Sequence, residues 1–185
     1  MLLRGRRRQL LGALIAAWLA PVAAAIGYPE ISWDDLVPED WDPMKEIAGL
    51  DQLGGLSDWD PRAKKLLDQL RAAWDNAPTV AAMADRPVRL PGYLVPLEQT
   101  QQGIAEFLLV PYFGACIHTP PPPANQIVHV AVVKPIRGFQ TMDAVWVSGV
   151  LTVARTNSSM GASGYRMRGD RVVAYDTEKP AAKGR

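Results

Sequence analysis

The sequence predicts a mainly β protein (α+β): a small five-stranded OB-like barrel with one amphipathic helix and an extended N-terminal arm. Three observations lead to this fold class. Five β-rich runs fill the C-terminal part of the chain, and two of them contain an interior glycine, which is typical of strands that bend around a small barrel. One segment before them has helical periodicity. A stretch rich in Trp, Asp and Pro precedes that helix and has no sustained period. A sandwich of helix and sheet is the competing architecture.

The composition of the 185 residues is that of an ordinary globular protein, with 48% apolar and 21% charged residues. It excludes a disordered chain, a fibrous protein and a polytopic membrane protein. The formal net charge of +1 is uneven, because residues 1–25 contain four arginines and no acidic residue. The rest of the chain is therefore mildly acidic. Without a basic stripe, binding to nucleic acid or to anionic lipid is not expected.

Residues 1–25 have the pattern of a signal peptide. A basic segment, Met1–Arg8, is followed by the apolar run Gln9–Leu19 and by three alanines suited to cleavage. The letters RRQLL at their junction match a twin-arginine export signal. We therefore expect a periplasmic protein that begins near Ile26, with no stable membrane insertion of the mature chain. An uncleaved anchor helix is the alternative.

The next segment predicts an arm and then a helix. Residues 26–60 form the Trp/Asp/Pro-rich arm, whose tryptophans we expect to lie on the body of the protein; docking of a partner is the alternative. A short helical turn is expected over Pro43–Leu50. Asp60 and Pro61 are typical of a helix start, as N-cap and first helical residue. The helix is expected to end at Asn76 and to cover a sheet with its apolar face.

The remaining chain predicts one domain of helix plus β-barrel over residues 61–176, followed by a disordered tail over 177–185. Gly92 and Gly149 mark bends inside the first and fourth strands, and the last strand is expected to bend or turn near Gly169. The predicted strands are Val88–Val95, Glu106–Tyr112, Ile127–Val133, Ala144–Val153 and Tyr165–Tyr175.

The residues best suited to bind a soft metal ion lie close together in the sequence. The single cysteine, Cys116, is two positions from His118, and the other histidine of the chain is His129. In an extended segment, side chains two apart point to the same side. A thiolate and an imidazole on one side are suitable ligands for Zn²⁺ or copper. Four following prolines stiffen the segment. The sequence therefore predicts a metal site at Cys116 and His118, with His129 and Glu98 as further candidate ligands.

Other interpretations of the same residues stay open. Cys116 and His118 also fit a buried thiol and a hydrogen-bonded histidine on a rigid loop, in which Asn125 and Gln126 hold free carbonyl groups of that loop. His129 also fits a core or edge position, and Glu98 a surface carboxylate. A thiol enzyme would use Cys116 as nucleophile beside His118. Because no third member of a catalytic triad is visible, no catalytic residue is assigned and a non-enzyme is favoured.

One long motif resembles a known family. The stretch FLLVPYFGACIHTPPPPANQ, together with PGYLVPLE, VWVSGVL and SWDDLVP, is similar to the signature of exported bacterial proteins named domain of unknown function 3299. The resemblance covers most of the mature chain. It implies export and a role beside ABC-type transporter components tied to metal supply, and it marks Cys116 and His118 as the positions of interest. The family also contains lipoproteins, whereas this chain has no cysteine near the predicted cleavage site.

Taken together, the sequence predicts a periplasmic accessory protein that binds Zn or Cu through its Cys-x-His loop and serves a transporter. The alternative is a scaffold that binds no metal and docks on such a transporter through the arm and the polyproline loop.

Overall fold

The computed structural model describes residues 27–42, 45, 47, 54–57, 59–115 and 121–177. The predicted signal peptide, most of the expected turn over Pro43–Leu50 and the chain from residue 178 onward lie outside the described residues. Cys116 and His118 do so as well.

Five strands form one sheet that closes on itself. Their order around the ring is β1-β2-β3-β5-β4, so β1 pairs with both β2 and β4. Only β3 and β5 run parallel; the other neighbours are antiparallel. This closed ring confirms the predicted mainly β, five-stranded fold. The strands are β1 Arg86–Thr100, β2 Gly103–Val110, β3 Val128–Ile136, β4 Ala144–Ser158 and β5 Gly161–Ala174.

The strands are longer than the hydrophobic runs that predicted them. β4 continues to Ser158 because its polar end still pairs with the start of β5, down to the pair Ser158↔Gly161. β5 is one strand rather than a hairpin at Gly169. A Cβ atom at Gly169 would lie 3.0 Å from a side-chain carbon of Val130, which is tighter than an ordinary contact, so glycine eases the packing of β5 against β3 there.

The barrel interior is filled by alternate residues of the strands, as the period of two requires. In β2, Phe107 and Leu109 point inward; in β3, Val128 and Val130 do so. These four side chains are completely buried.

Tyr165 of β5 joins the N-terminal arm to the barrel. Its hydroxyl donates a hydrogen bond to the carbonyl oxygen of Leu36 at 2.8 Å and accepts one from the backbone N–H of Val80 at 2.7 Å. Leu36 lies in the interior cluster and is completely buried. Trp33 and Trp41 of the arm are also partly buried against the body. The arm is therefore part of the core.

Tyr165 predicts a loss of stability at alkaline pH. Burial raises the pKa of its phenol above the ordinary value of 10.0. Because the folded pKa is higher than the unfolded one, the stabilisation is complete below pH 10 and falls as the pH rises beyond it. We expect Tyr165→Phe to lower the free energy of unfolding by about 1–3 kcal/mol at pH 7, since Val80 N–H and Leu36 C=O lose their partner. Urea unfolding from pH 7 to 11 measures both effects, with Tyr175→Phe, at a tyrosine that is 47% exposed, as control. If Tyr165→Phe and the wild type lost the same free energy of unfolding between pH 7 and pH 11, the alkaline loss could not be attributed to Tyr165.

Helix α1 spans Pro61–Asp75 and begins as predicted, with the Asp60 side chain accepting a hydrogen bond from Arg62 N–H at 2.8 Å. Its apolar face is covered less than expected. Ala63 is its only buried residue, and Leu67 is 41% exposed. No helix among the described residues is long and apolar enough to span a membrane.

Candidate metal site on the outer face of the barrel

A second hydrophobic cluster lies on the outside of the barrel. In β2, Leu108 and Val110 alternate with the interior residues and therefore point outward. The chain between β2 and β3 contributes Ala115 and Ile127 to the same cluster. We call this the outer cluster. Its buried members are Val95, Leu108, Val110, Ala115 and Ile127. The side chains partly buried against it are Tyr93, Leu97, Met142 and Met160. The β2–β3 connection is thus anchored on the outer face.

His129 of β3 faces the same side of the sheet. It is paired with Leu108 of β2, and paired residues of neighbouring strands share a face. Although it points away from the interior, His129 is only 5% exposed. Its Nε2 atom lies 3.1 Å from Oε2 of Glu106, which sits two positions before Leu108 in β2. Its Nδ1 atom is buried and has no hydrogen-bond partner among the described residues.

This geometry suits a metal ligand. In the neutral tautomer with the proton on Nε2, that N–H donates to the Glu106 carboxylate and Nδ1 keeps its lone pair. Metal-binding histidines usually donate their other ring N–H to a carboxylate or carbonyl, which fixes the tautomer and the ring orientation. A buried polar atom without a partner is uncommon and calls for an explanation.

Glu106 was not among the residues singled out from the sequence. The signal for it is weak: it is the only charged residue of β2 and shares the face of Leu108 and Val110. Its side chain is 38% exposed, so the carboxylate reaches from solvent to the buried imidazole of His129.

Glu98 lies elsewhere than the sequence argument placed it. The sequence counted Glu98 as a candidate ligand beside the Cys-x-His loop, which follows the end of the second strand. In the antiparallel hairpin of β1 and β2, the end of β1 faces the beginning of β2. Glu98 accordingly pairs with Glu106, and Thr100 pairs with Gly103. Glu98 is exposed and is followed by an irregularity of the ladder.

Asn125 and Gln126 bind carbonyl groups outside their own loop, contrary to the prediction. The Asn125 side chain donates to Pro78 C=O at 3.0 Å, and the Gln126 side chain donates to Trp33 C=O at 2.9 Å. The reason is that residues 124–126 form a single helical turn beside the arm and the end of α1. These two hydrogen bonds attach the loop that follows the four prolines to the N-terminal arm and to the segment after α1.

The remaining predicted ligands, Cys116 and His118, lie outside the described residues. The residues on either side are described: Ala115 is completely buried in the outer cluster, and Pro121 contacts the β4–β5 turn. Within the described part of the chain, no three His, Cys, Asp or Glu side chains converge as a metal site. A complete site at His129 therefore needs ligands from residues 116–120.

An aromatic groove lies near the outer cluster. It has a volume of about 220 Å³, and its lining includes Trp33, Tyr93 and Tyr175. Phe113 stands beside it, edge-on to Tyr93 with ring centres 5.8 Å apart, and is 68% exposed. Exposed aromatic residues around an uncharged groove are typical of surfaces that bind other molecules.

The chain is similar to a family of proteins that is defined by sequence and to proteins of known structure. The family model for "Protein of unknown function (DUF3299)" matches residues 33–174. The crystal structure of a DUF3299 family protein from Pseudomonas aeruginosa PAO1 superposes with a TM-score of 0.62 and 38% sequence identity, covering 83% of this chain and all of that one. None of the curated proteins compared with the chain matches it. The chain belongs to the DUF3299 family.

Proposed function

We propose that this protein is a periplasmic accessory protein that binds one Zn or Cu ion and delivers it to a membrane transporter of the ABC type. The proposed ligands are Cys116, His118 and Nδ1 of His129. The observation that carries the proposal is His129, whose Nδ1 atom is buried and has no partner within the described part of the chain, while its Nε2 atom lies 3.1 Å from Glu106.

The position of the Cys-x-His sequence supports the same site. Cys116 follows Ala115 directly, and Ala115 is buried in the outer cluster together with Leu108, the cross-strand partner of His129. Consecutive Cα atoms are about 3.8 Å apart across a trans peptide bond. Cys116 is therefore one residue along the chain from the cluster that contains the cross-strand partner of His129.

Three protein ligands leave one coordination position open on a tetrahedral ion. Structural zinc sites are closed by four protein ligands, whereas open sites exchange a water or another ligand. An open position suits transfer of the ion to a second protein. Glu106 has the role of a positioning residue: by accepting a hydrogen bond from Nε2–H of His129 it fixes the ring orientation and selects the tautomer whose lone pair lies on Nδ1.

Metal analysis of the purified full-length protein tests the proposal. After loading with Zn or Cu and dialysis, we expect one ion per chain in the wild type and a clear loss in Cys116→Ser, His118→Ala and His129→Gln. Glu106→Gln keeps all three ligands, so we expect binding that is about 10–100-fold weaker. Circular dichroism establishes that each variant is folded.

Glu98→Gln is the matched comparison for Glu106→Gln, since the two glutamates are paired across neighbouring strands. Binding at the wild-type level in Glu98→Gln would leave Glu106 as the carboxylate of the site. A loss of the ion in Glu98→Gln would make Glu98 a direct ligand. The same sub-stoichiometric metal content in the wild type and in every ligand variant would overturn the proposed function.

The aromatic groove favours a second candidate, a scaffold that docks on a transporter without metal. A partner captured from the periplasm whose binding survives Cys116→Ser but not Phe113→Ala would support that function. Loss of the partner in Cys116→Ser alone would count against it.

A further inference from the structure

The barrel is open along one seam. The pairing of β3 with β5 ends at Val132↔Gly169, although β3 continues to Ile136 and β5 to Ala174. A cavity of about 270 Å³ is lined by residues of both strands from this last pair onward. We call this opening the β3–β5 seam. We infer that it binds an extended acidic segment of a partner protein, which adds a strand beside β5. This inference does not depend on the metal site.

The backbone of the seam is suited to strand addition. Among the described strands, none pairs with β5 on the side of β3 after Gly169, while β4 stays paired with β5 up to Ala174. The facing segment of β3, Val133–Pro135, has no paired residue in β2 either, because the register between β2 and β3 shifts there. Pro135 has no backbone N–H, and proline in sheets occurs mainly at edges and bulges. An extended chain can therefore hydrogen-bond to this strand edge.

The floor of the seam is apolar. Val132, Ile136 and Val172 line the cavity and are partly buried against the interior cluster. Val133 lines the cavity as well and is 64% exposed. Successive side chains of an extended chain point to opposite faces, so one face of a bound strand can contact this floor while the other face meets the rim. Alternate side chains of the bound segment are therefore expected to be apolar.

The rim of the seam is predominantly basic. Lys134 and Arg171 line the cavity, and Nε of Arg168 lies 3.4 Å from the carboxylate of Asp170, which also lines it. Asp170 is the only acidic side chain among the described residues of this lining, and it already accepts a hydrogen bond from the Tyr28 hydroxyl at 2.9 Å. Complementary charge across an interface steers association and selects the partner. The side chains of the bound segment that face the rim are therefore expected to be acidic.

Charge also decides between the possible occupants. Residues 178–185 of this chain contain three basic residues and one acidic residue, so their charge does not complement the rim. A nucleic acid is negatively charged, but it offers neither the backbone amides of an added strand nor alternate apolar side chains. An acidic segment of another protein matches the edge, the floor and the rim together.

Fluorescence anisotropy of a labelled peptide of alternating glutamate and valine tests the inference on the full-length protein. We expect saturable binding that weakens as the salt concentration is raised. The same peptide N-methylated at every amide keeps its charge but cannot pair as a strand, so we expect its binding to be at least about tenfold weaker. A peptide of alternating lysine and valine is expected not to bind. In NMR spectra, the shifts caused by the glutamate–valine peptide are expected to concentrate in the backbone amides of residues 132–136 and 169–173.

Charge reversal in the rim locates the site. Lys134→Glu is expected to raise the Kd of the peptide at least about fivefold. Lys64→Glu, on the exposed face of α1, changes the net charge equally and is expected to leave the Kd unchanged. Circular dichroism establishes that both variants are folded.

Three results would overturn the inference. The first is equal affinity for the plain and the N-methylated peptide, or equal affinity of Lys134→Glu and Lys64→Glu. The second is displacement of the peptide by oligothymidylate at a lower concentration than by unlabelled peptide, which would make nucleic acid the ligand. The third is self-association of the wild type that Lys134→Glu abolishes, measured by sedimentation velocity, which would make a second copy the occupant. The metal content of the protein is independent of all three.

Discussion

Gly149→Ala is expected to destabilise the barrel severely. A Cβ atom at position 149 would lie 2.1 Å from the backbone carbonyl oxygen of Arg168 on the neighbouring strand β5. A backbone atom in a paired strand cannot move aside as a side chain can, so β4 and β5 must separate at the irregularity next to Gly149. We expect a loss of about 3 kcal/mol or more in the free energy of unfolding, at the upper end of the range for single substitutions. Urea unfolding followed by circular dichroism measures it.

Gly27→Ala is the matched control, since a Cβ atom there would meet nothing within 4 Å. Its free energy of unfolding is expected to stay within about 0.5 kcal/mol of wild type. A folded Gly149→Ala protein of wild-type stability would show that the two strands are farther apart than described.

Leu36→Ala is expected to have the second-largest effect, although residue 36 belongs to the N-terminal arm. Leu36 is completely buried in the interior cluster, and its carbonyl oxygen accepts the hydrogen bond of Tyr165. Truncation of a fully buried leucine costs about 2–5 kcal/mol, depending on how far the cavity collapses. The midpoint of thermal unfolding is therefore expected to fall by several degrees.

The same substitution in helix α1, Leu67→Ala, supplies the comparison. Leu67 is 41% exposed, so its truncation removes little buried surface and is expected to change stability by about 0.5 kcal/mol or less. Similar effects of the two substitutions would mean that the arm only rests on the surface of the barrel.

The architecture of the barrel was largely predictable because it depends on local patterns. Asp60 and Pro61 predicted the start of α1, and Gly149 lies at an irregularity in the pairing of β4 with β5. The strand ends were not predictable, since the polar end of β4 is a strand only because it pairs with β5. The sequence also did not predict how little of the apolar face of α1 is buried, because periodicity shows which face is apolar but not what lies against it.

The candidate site was predictable only in part, because it joins residues far apart in the sequence. His129 was singled out for its residue type. Its partner Glu106 was not, since their approach depends on the register between β2 and β3. The antiparallel register likewise sets Glu98 opposite Glu106.

The fastening of the polyproline loop to the arm has an optical consequence. The side chain of Gln126 donates a hydrogen bond to the backbone carbonyl oxygen of Trp33. The indole N–H of Trp33 donates in turn to Pro91 C=O at 2.7 Å. A rearrangement of the loop would disturb the surroundings of that indole. Intrinsic tryptophan emission, read without any attached dye, would then report a rearrangement of the loop in real time.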